Sequence, residues 1–269
     1  MLLMASQLSI VFSLSLLPGI ASAIDVFGGM EFSYLGKDGP DRWGMLEPKF
    51  APCSIGKRQS PINIQRNLTV HNKLLKPLTR NYNSVNATLF NKGYSVGGIQ
   101  VRFEEYPGDL WINGKNYSLK QFHWHLPAEH QIEGQQFAAE LHLVHQAAVD
   151  GSFAVIAALY QESNADPLIC RIIEGLKHLG GENTTVPLGI LNINELNRRS
   201  RKYYTYVGSL TTPPCSENVI WIILGKVMSI SKEQIIALDI PLNSDCKKNA
   251  RPCQPLNGRE VDMYDELSC

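Results

Sequence analysis

The stretch Gln121–His145 constrains the chain more than any other, because five of the seven histidines in the sequence lie within it. It opens with Gln-Phe-His-Trp-His, in which aromatic residues precede the histidines, a composition typical of β-strands. Residues two apart in a strand share a face, so Gln121, His123 and His125 are expected to point to the same side. This end of the stretch therefore predicts a strand that presents two imidazoles together.

The other end of the stretch reads Ala-Ala-Glu-Leu-His-Leu-Val-His and also predicts a strand. By the same alternation Glu140 and His142 share one face, whereas His145 falls on the opposite face. We therefore expect His142 to join the imidazoles of the first strand. We interpret His145 as a hydrogen-bonded core histidine rather than as a further ligand.

Three imidazoles that converge from two strands form a metal site with an open coordination position, which is the arrangement of catalytic zinc. The predicted Zn²⁺ ligands are His123, His125 and His142. A ligand histidine needs a partner for its second ring nitrogen, and Gln121 and Glu140 lie on the faces where they would serve neighbouring imidazoles. Ordinary buried histidines are the alternative. That alternative would explain one isolated histidine. It explains less well three histidines that share strand faces with an amide and a carboxylate.

Four motifs, in this order along the chain, resemble the α-class carbonic anhydrases. Two are the strand motifs above, and the others are the pair Glu129–His130 and the segment Gly208–Pro214, which reads Gly-Ser-Leu-Thr-Thr-Pro-Pro. The resemblance extends from Tyr34 to Arg259, most of the chain. The segment Asn249–Arg259 and the short connection from His125 to Glu129 suggest a plant-type member, and the N-terminal segment discussed below indicates a secretory one. It implies a zinc lyase, a carbonate dehydratase, that reversibly hydrates carbon dioxide to bicarbonate and a proton.

The expected fold is mostly β with an α+β margin, because short apolar segments alternate with Gly, Asn and Pro turns. The resemblance sharpens this to a single domain, residues 24–269, with a large, mainly antiparallel twisted sheet, a few short peripheral helices and a zinc cleft. The predicted helices, from spacing and capping, are Leu168–Leu179 and Ser231–Leu238. The predicted strands are Ala87–Phe90, Ile99–Glu104, Ser118–His125, Phe137–Gln146, Phe153–Tyr160 and Val219–Leu224.

The resemblance also implies roles around the metal. The Thr211 hydroxyl is expected to donate to the Glu129 carboxylate and to orient the attacking oxygen, which is positioning by a preorganised network. A backbone carbonyl near Asn249 is expected to orient His125. An apolar pocket for carbon dioxide is implied beside the metal, although core packing alone is the better explanation of its apolar members. The pocket positions are Val144, Val155, Leu210, Thr212, Val219 and Trp221.

One catalytic position departs from the family pattern. Fast members carry a histidine after the glycine of an Asn-x-Gly-His turn, where it relays protons to solvent, and here the turn ends in Tyr94. A tyrosine, with an unperturbed pKa of about 10, is a poor relay near neutral pH. We therefore expect hydration of carbon dioxide that is slow and sensitive to buffer, with the chemical step retained.

The composition is that of an ordinary globular protein, since 44% of the 269 residues are hydrophobic and the formal net charge is zero. The even charge balance gives no indication of nucleic-acid binding. Residues 1–23 combine a short apolar run with Ala21-Ser-Ala23, which predicts a cleaved signal peptide, and that run is too short for a membrane span. We expect a secretory protein of the extracellular space or apoplast, with a plastid reached by the secretory route as the alternative.

The cysteines and glycosylation motifs agree with that route. Six cysteines without a Cys-x-x-Cys motif suggest disulfides rather than a redox pair. By resemblance, Cys53 and Cys215 form a bridge that pins the active-site loop. The other four are left open, with a local bridge between Cys246 and Cys253 as one option. Four Asn-x-Ser/Thr sequons predict a glycoprotein, and they begin at Asn67, Asn86, Asn116 and Asn183.

A second class of function stays open. Some plant relatives of the family, the tuber dioscorins and certain nectar proteins, resemble this chain while serving storage, defence or ascorbate-linked redox roles. The substitution at the relay position fits such a catalytically weak protein, but no zinc ligand is missing from the sequence. A zinc hydrolase of another class is disfavoured, because the sequence has no His-Glu-x-x-His motif.

Overall fold

The structure is a computed structural model, and the residues that it describes are 32–93, 98–197 and 200–268. Three features of the sequence lie outside these ranges. They are the predicted signal peptide at residues 1–23, the relay position Tyr94, and Cys269, one of the four cysteines whose pairing the sequence leaves open.

Most of the regular structure in the described residues is β-strand. Alternation of buried and more exposed side chains along the chain favours this conformation. In Ser84–Asn91, for example, Val85, Ala87 and Leu89 are buried, and the residues between them are partly exposed. The strands are β1 Asn63–Ile64, β2 Val70–His71, β3 Thr79–Tyr82, β4 Ser84–Asn91, β5 Ile99–Phe103, β6 Gly108–Ile112, β7 Lys115–His125, β8 Gln131–Ile132, β9 Gln135–Gln136, β10 Ala139–Gln146, β11 Phe153–Glu162, β12 Thr185–Asn192, β13 Lys202–Ser209, β14 Glu217–Leu224, β15 Met228–Ile230 and β16 Asp262–Asp265.

Thirteen of the described strands form one large twisted sheet. Its main path runs β12-β4-β5-β7-β10-β11-β14-β13-β16-β2, with β6 and β3 attached beside β7, and β15 beside β11. Most neighbours are antiparallel, whereas β11 runs parallel to β14 and β15, and β16 runs parallel to β2. A separate small sheet contains β1, β8 and β9. The prediction of a mostly β fold on a large, mainly antiparallel sheet is confirmed.

Short helices lie at the periphery of the sheet. The longest begins at Asp166, whose carboxylate accepts hydrogen bonds from two backbone N–H groups of the first turn. It packs on β4 through Gly175, where an added Cβ would lie 2.7 Å from Cδ1 of Leu89. The last helix begins with the predicted capping box of Ser231 and Gln234. The helices are α1 Trp43–Leu46, α2 Pro52–Ile55, α3 Pro167–His178 and α4 Lys232–Asp239.

Single turns of 3-10 helix connect several of these elements. They are Gly36–Asp38, Pro48–Phe50, Arg66–Leu68, Ile193–Leu196, Ser244–Cys246 and Glu266–Ser268. Within the described ranges, no helix combines the length and the apolar character that crossing a bilayer requires.

Candidate metal centre

The pairing of β7 with β10 brings the three predicted ligands together. In this antiparallel register His142 lies opposite His123, and Glu140 lies opposite His125. Residues opposite each other point to the same face of a sheet, so the imidazoles of the three histidines converge. One nitrogen from each ring lies within 4.8 Å of the other two, and all three side chains are buried.

Hydrogen bonds to the outer ring nitrogens fix the tautomers of two of these imidazoles. Nδ1 of His123 donates to Oε1 of Gln121 at 2.8 Å, and Nδ1 of His125 donates to the backbone carbonyl of Asn249 at 2.6 Å. Because both acceptors are oxygens without a hydrogen, each neutral ring keeps its lone pair on Nε2. These two Nε2 atoms lie 3.2 Å apart.

Glu140 fixes the third imidazole and also holds His130. Its Oε1 accepts from Nε2 of His142 at 2.7 Å and from Nδ1 of His130 at 2.6 Å, while Oε2 accepts from the backbone N–H groups of Glu129 and His130. Burial alone would raise the pKa of Glu140. The electrostatic influence of the adjacent His130 and His142 and the N–H hydrogen bonds that they donate outweigh burial, and they hold this pKa well below its ordinary value. An ionised Glu140 leaves the lone pair of His142 on Nδ1, towards the other two rings.

The three inward nitrogens form a set of donors that fits a cation. Each carries a lone pair, and lone pairs that face each other across 3.2 Å repel unless a positive charge lies between them. Protonation does not supply that charge, because burial lowers the pKa of His123 and His142 and lowers the pKa of His125 to about 4. Three neutral imidazoles whose outer nitrogens are already bonded match the ligand set of catalytic zinc.

A chain of hydrogen bonds continues from His130 away from these nitrogens. Nε2 of His130 accepts from the Tyr206 hydroxyl at 2.7 Å, that hydroxyl lies 2.8 Å from Oγ of Ser60, and Oγ accepts from the backbone N–H of Ser209 at 3.0 Å. The chain thus connects Glu140 to the segment that carries the predicted active-site threonines. Sequence spacing does not reveal it, because its side chains come from positions 76 and 146 residues apart.

Glu129 lies close to the inward nitrogens. Its Oε1 accepts from the backbone N–H of Arg251 at 2.9 Å, and its Oε2 lies 3.5 Å from Nε2 of His125. Burial raises the pKa of Glu129 to about 7, against the lowering influence of His142, of the Arg251 N–H and of the nearby Thr211 hydroxyl. Oε2 itself has no hydrogen bond of standard geometry to any described residue.

The predicted pocket residues gather in one apolar cluster. Val155, Val219 and Trp221 are buried in it, and Val144 and Leu210 pack against it. The Trp221 ring lies 4.9 Å from the His142 ring between centroids, so the cluster borders the candidate metal site. The sixth predicted position, Thr212, is also buried. These residues supply an apolar wall beside the inward nitrogens and form part of the core as well.

Cross-links hold the loop that follows Thr211. A disulfide joins Cys53 to Cys215, as the family resemblance implies. The buried guanidinium of Arg251 donates to the backbone carbonyl of Cys53 and to Oε1 of Gln59, both at 2.8 Å. Through its own backbone N–H the same residue reaches Glu129. The disulfide, the loop and the Glu129 carboxylate therefore share one set of contacts.

The remaining described cysteines are free thiols. Cys246 and Cys253 do not form the local bridge that the sequence left as an option, and Cys170 is exposed on α3. Cys246 is buried, whereas the Sγ of Cys253 contacts the backbone carbonyl of Glu129 at 3.6 Å.

His145 lies away from the three ligands and is held by two hydrogen bonds. Its Nδ1 donates to the backbone carbonyl of Ala154 at 3.3 Å, and its Nε2 accepts from the Tyr82 hydroxyl at 2.8 Å. The structure thus places it as the buried core histidine that the alternation of the strand indicates.

One string of residues has the spacing of a different kind of active site. Gly93-Tyr-Ser-Val-Gly97 matches the Gly-x-Ser-x-Gly pattern of a nucleophile elbow, which requires a strand followed by a helix. The described strands on either side of the string, β4 and β5, pair antiparallel with each other, which is not a strand followed by a helix.

Comparison with known proteins agrees with this geometry. A family model described as eukaryotic-type carbonic anhydrase matches residues 38–265. Alpha carbonic anhydrase 7 of Arabidopsis thaliana is 39% identical over 266 residues, which cover 94% of each chain. Dioscorin dioA3 of Dioscorea japonica is 36% identical over 88% of this chain and 87% of its own. Among solved structures, that of dioscorin complexed with ascorbate has a TM-score of 0.85 at 35% identity, covering 89% of this chain and all of that one.

The match spans most of the chain, and it includes all three histidines, their orienting partners and the disulfide. The chain therefore belongs to the eukaryotic-type α-carbonic anhydrase family.

Proposed function

We propose that the protein catalyses the reversible hydration of carbon dioxide to bicarbonate and a proton, with Zn²⁺ held by His123, His125 and His142. One observation carries this proposal. Three buried imidazoles turn their lone pairs toward one point while oxygen acceptors hold their outer nitrogens. When bound, the zinc ion supplies a Lewis acid that makes a water molecule nucleophilic near neutral pH.

The protein supplies orientation for this reaction. Gln121, Glu140 and the carbonyl of Asn249 fix the tautomer and orientation of the three imidazoles, so the rings need no rearrangement when the metal binds. The Thr211 hydroxyl and Glu129 orient the attacking oxygen. The carboxylate of Glu129 is held in turn by the backbone N–H of Arg251.

The apolar wall supplies the place for the substrate. Carbon dioxide is linear and uncharged overall, so apolar side chains accept it without competing for hydrogen bonds. Val144, Val155, Leu210, Val219 and Trp221 provide such surface beside His142. Bicarbonate, which is charged, interacts less favourably with this wall and leaves.

Release of the proton sets the overall rate in this proposal. Tyr94 replaces the relay histidine, so protons leave through water and buffer. Reprotonation at about 10¹⁰ M⁻¹s⁻¹ with an acid of pKa about 7 limits unaided release to roughly 10³ s⁻¹. That is about a thousandfold below the ~10⁶ s⁻¹ turnover known for carbonic anhydrase.

Zinc analysis combined with a stopped-flow hydration assay tests the proposal. We expect one zinc per chain and hydration that disappears in His125→Ala together with the zinc. A protein that retains zinc but does not hydrate carbon dioxide at any buffer concentration would overturn the proposed activity.

A storage or defence protein on the same scaffold is the second candidate. The relatives named dioscorin favour it, and one of them was solved with ascorbate. A protein of this kind would show no hydration and would accumulate to high abundance in one tissue. The complete ligand set favours the enzyme over this candidate.

We further propose that residues 1–23 are removed as a signal peptide and that the protein is a secreted glycoprotein. The described Cys53–Cys215 disulfide supports this route, because such bridges persist in oxidising compartments. N-terminal sequencing of the protein from its own tissue tests the cleavage, with Ile24 expected as the first residue.

A further inference from the structure

The four sequons differ in how their asparagine side chains are held. Asn67 and Asn183 are exposed, whereas Asn86 and Asn116 are half-buried within β4 and β7. An N-linked oligosaccharide is bulky and leaves through the side-chain amide nitrogen, so that nitrogen must face solvent. The fold therefore separates two accessible acceptors from two hindered ones.

Asn116 is the most constrained of the four. Its Nδ2 donates to Oδ2 of Asp109 at 2.6 Å, and the same carboxylate accepts from the hydroxyls of Tyr106 and Ser118. Ser118 is the third residue of this sequon, so one carboxylate engages both its asparagine and its hydroxyl. Oδ1 of Asn116 is buried and has no hydrogen-bond partner among the described residues.

Asn183 has the opposite properties. It lies in the connection from α3 to β12 with a φ of 64°, a left-handed conformation that asparagine tolerates better than most residues. Its backbone N–H donates to the carbonyl of Asn91 at 2.7 Å, and Oγ1 of Thr184 donates to the carbonyl of Gly181 at 2.6 Å. These bonds fix the turn through atoms other than the Asn183 side chain, which stays exposed.

The turn that contains Asn183 contacts the segment leading to the relay position. Asn91 is the last residue of β4. Gly93 comes two residues later and immediately precedes Tyr94. The side chain of Glu182 packs against Gly93, because a Cβ added there would overlap it. Asn183 therefore contacts Asn91 and Glu182 contacts Gly93, so the turn lies against the three residues that precede Tyr94.

The same strand end is near the candidate metal site. Phe90, beside Asn91, pairs with Gln100 of β5, and Gln100 pairs with His123 of β7. Two strand spacings amount to about 10 Å between β4 and the strand of His123. An oligosaccharide of several sugars is longer than this separation.

We propose that Asn183 carries an N-linked oligosaccharide that screens the approach to the metal site from the β4 side. Large proton acceptors then reach the site less readily than small ones. The inference rests on the proposed secretory route and hydration activity, and it adds a modification that would select among the buffers serving an enzyme without a relay histidine.

Site occupancy tests the modification. The full chain is expressed in a eukaryotic host, treated with peptide N-glycosidase in heavy-oxygen water, and mapped by mass spectrometry. We expect label at Asn67 and Asn183 and none at Asn116. Label at Asn67 without label at Asn183 would overturn this inference and leave the secretory route standing. Absence of label at every sequon would instead count against the secretory route itself, and the inference would fall with it.

Buffer size tests the screening. Turnover of the glycosylated protein is measured with imidazole and with the same imidazole attached to a polyethylene glycol chain. If the oligosaccharide covers roughly half of the approaches, Asn183→Gln raises turnover with the large buffer about twofold and leaves the small buffer unchanged. Asn67→Gln, which removes the other exposed site, should change neither. An equal response of the two variants would contradict the screening role.

Discussion

Glu140 holds the candidate site together through four N–H groups that donate to its two oxygens. No amide can replace it, because in either orientation an NH₂ group would point at a donor. We expect Glu140→Gln to weaken zinc binding by roughly 10–100-fold, the range typical of residues that orient a ligand histidine. Competition against a chelator measures this. Glu174→Gln, on the exposed face of α3, serves as the matched control and should bind zinc normally.

Tyr94 is the residue on which the predicted rate depends. Tyr94→His should raise turnover in weak buffer, because an imidazole accepts and returns protons near neutral pH, and it should leave the efficiency at low substrate unchanged. The wild type should respond to added imidazole buffer more strongly than the variant. Turnover that is independent of imidazole in the wild type would show that proton release does not limit the rate.

Residue patterns predicted which histidines come together at the candidate metal site, but not the rest of the site. His123, His125 and His142 were recognisable because a period of two places them on shared faces of strands. The roles of His130, Tyr206 and Ser60 were not, because a hydrogen bond between residues 76 or 146 positions apart leaves no local pattern.

At the scale of elements, β10 carries a second buried histidine whose charge state affects stability. Burial lowers the pKa of His145 to about 3, and protonation would place a hydrogen on the Nε2 that accepts from Tyr82. The unfolded chain takes up this proton below about pH 6.5, whereas the folded chain does so only near pH 3. As the pH is lowered from about 6.5 to about 3, the free energy of unfolding therefore decreases, by up to about 1.4 kcal/mol per pH unit from this residue.

Urea denaturation of the wild type and of His145→Gln, from pH 7.5 down to pH about 4, measures this contribution. The variant should be less stable near neutral pH and should lose stability less steeply below about pH 6.5. Above that pH the two curves should run parallel, which is the internal control. Equal slopes throughout would mean that His145 titrates in the folded protein as it does in the unfolded chain.

The strands that the sequence revealed differ physically from those that it did not. In β4 the alternate residues Val85, Ala87 and Leu89 are apolar and buried, and this alternation is visible in the sequence. β12 has only Leu191 buried among its eight residues, and its register shifts between Pro187 and Gly189. In β13 the adjacent Tyr203 and Tyr204 are both buried, so no alternation marks the strand.

At the scale of the whole molecule, the Cys53–Cys215 disulfide closes a segment of 162 residues. Chain entropy gives about 5 kcal/mol for a loop of this length, and measured losses are typically about 2–5 kcal/mol. The double variant Cys53→Ser/Cys215→Ser should be destabilised by about this amount, measured by chemical denaturation. Cys170→Ser, which removes an exposed free thiol, should leave stability unchanged. Equal stability of the double variant and the wild type would show that other contacts, such as those of Arg251, hold the loop alone.

The central claim is that three histidine nitrogens hold one zinc ion and leave one coordination position open. X-ray absorption at the zinc edge of the purified full chain tests this most directly. We expect about three nitrogen ligands at roughly 2.0–2.1 Å with one further light atom, and one zinc per chain. A sulfur ligand at about 2.3 Å, or purified protein that holds no zinc when the metal is supplied, would contradict the claim.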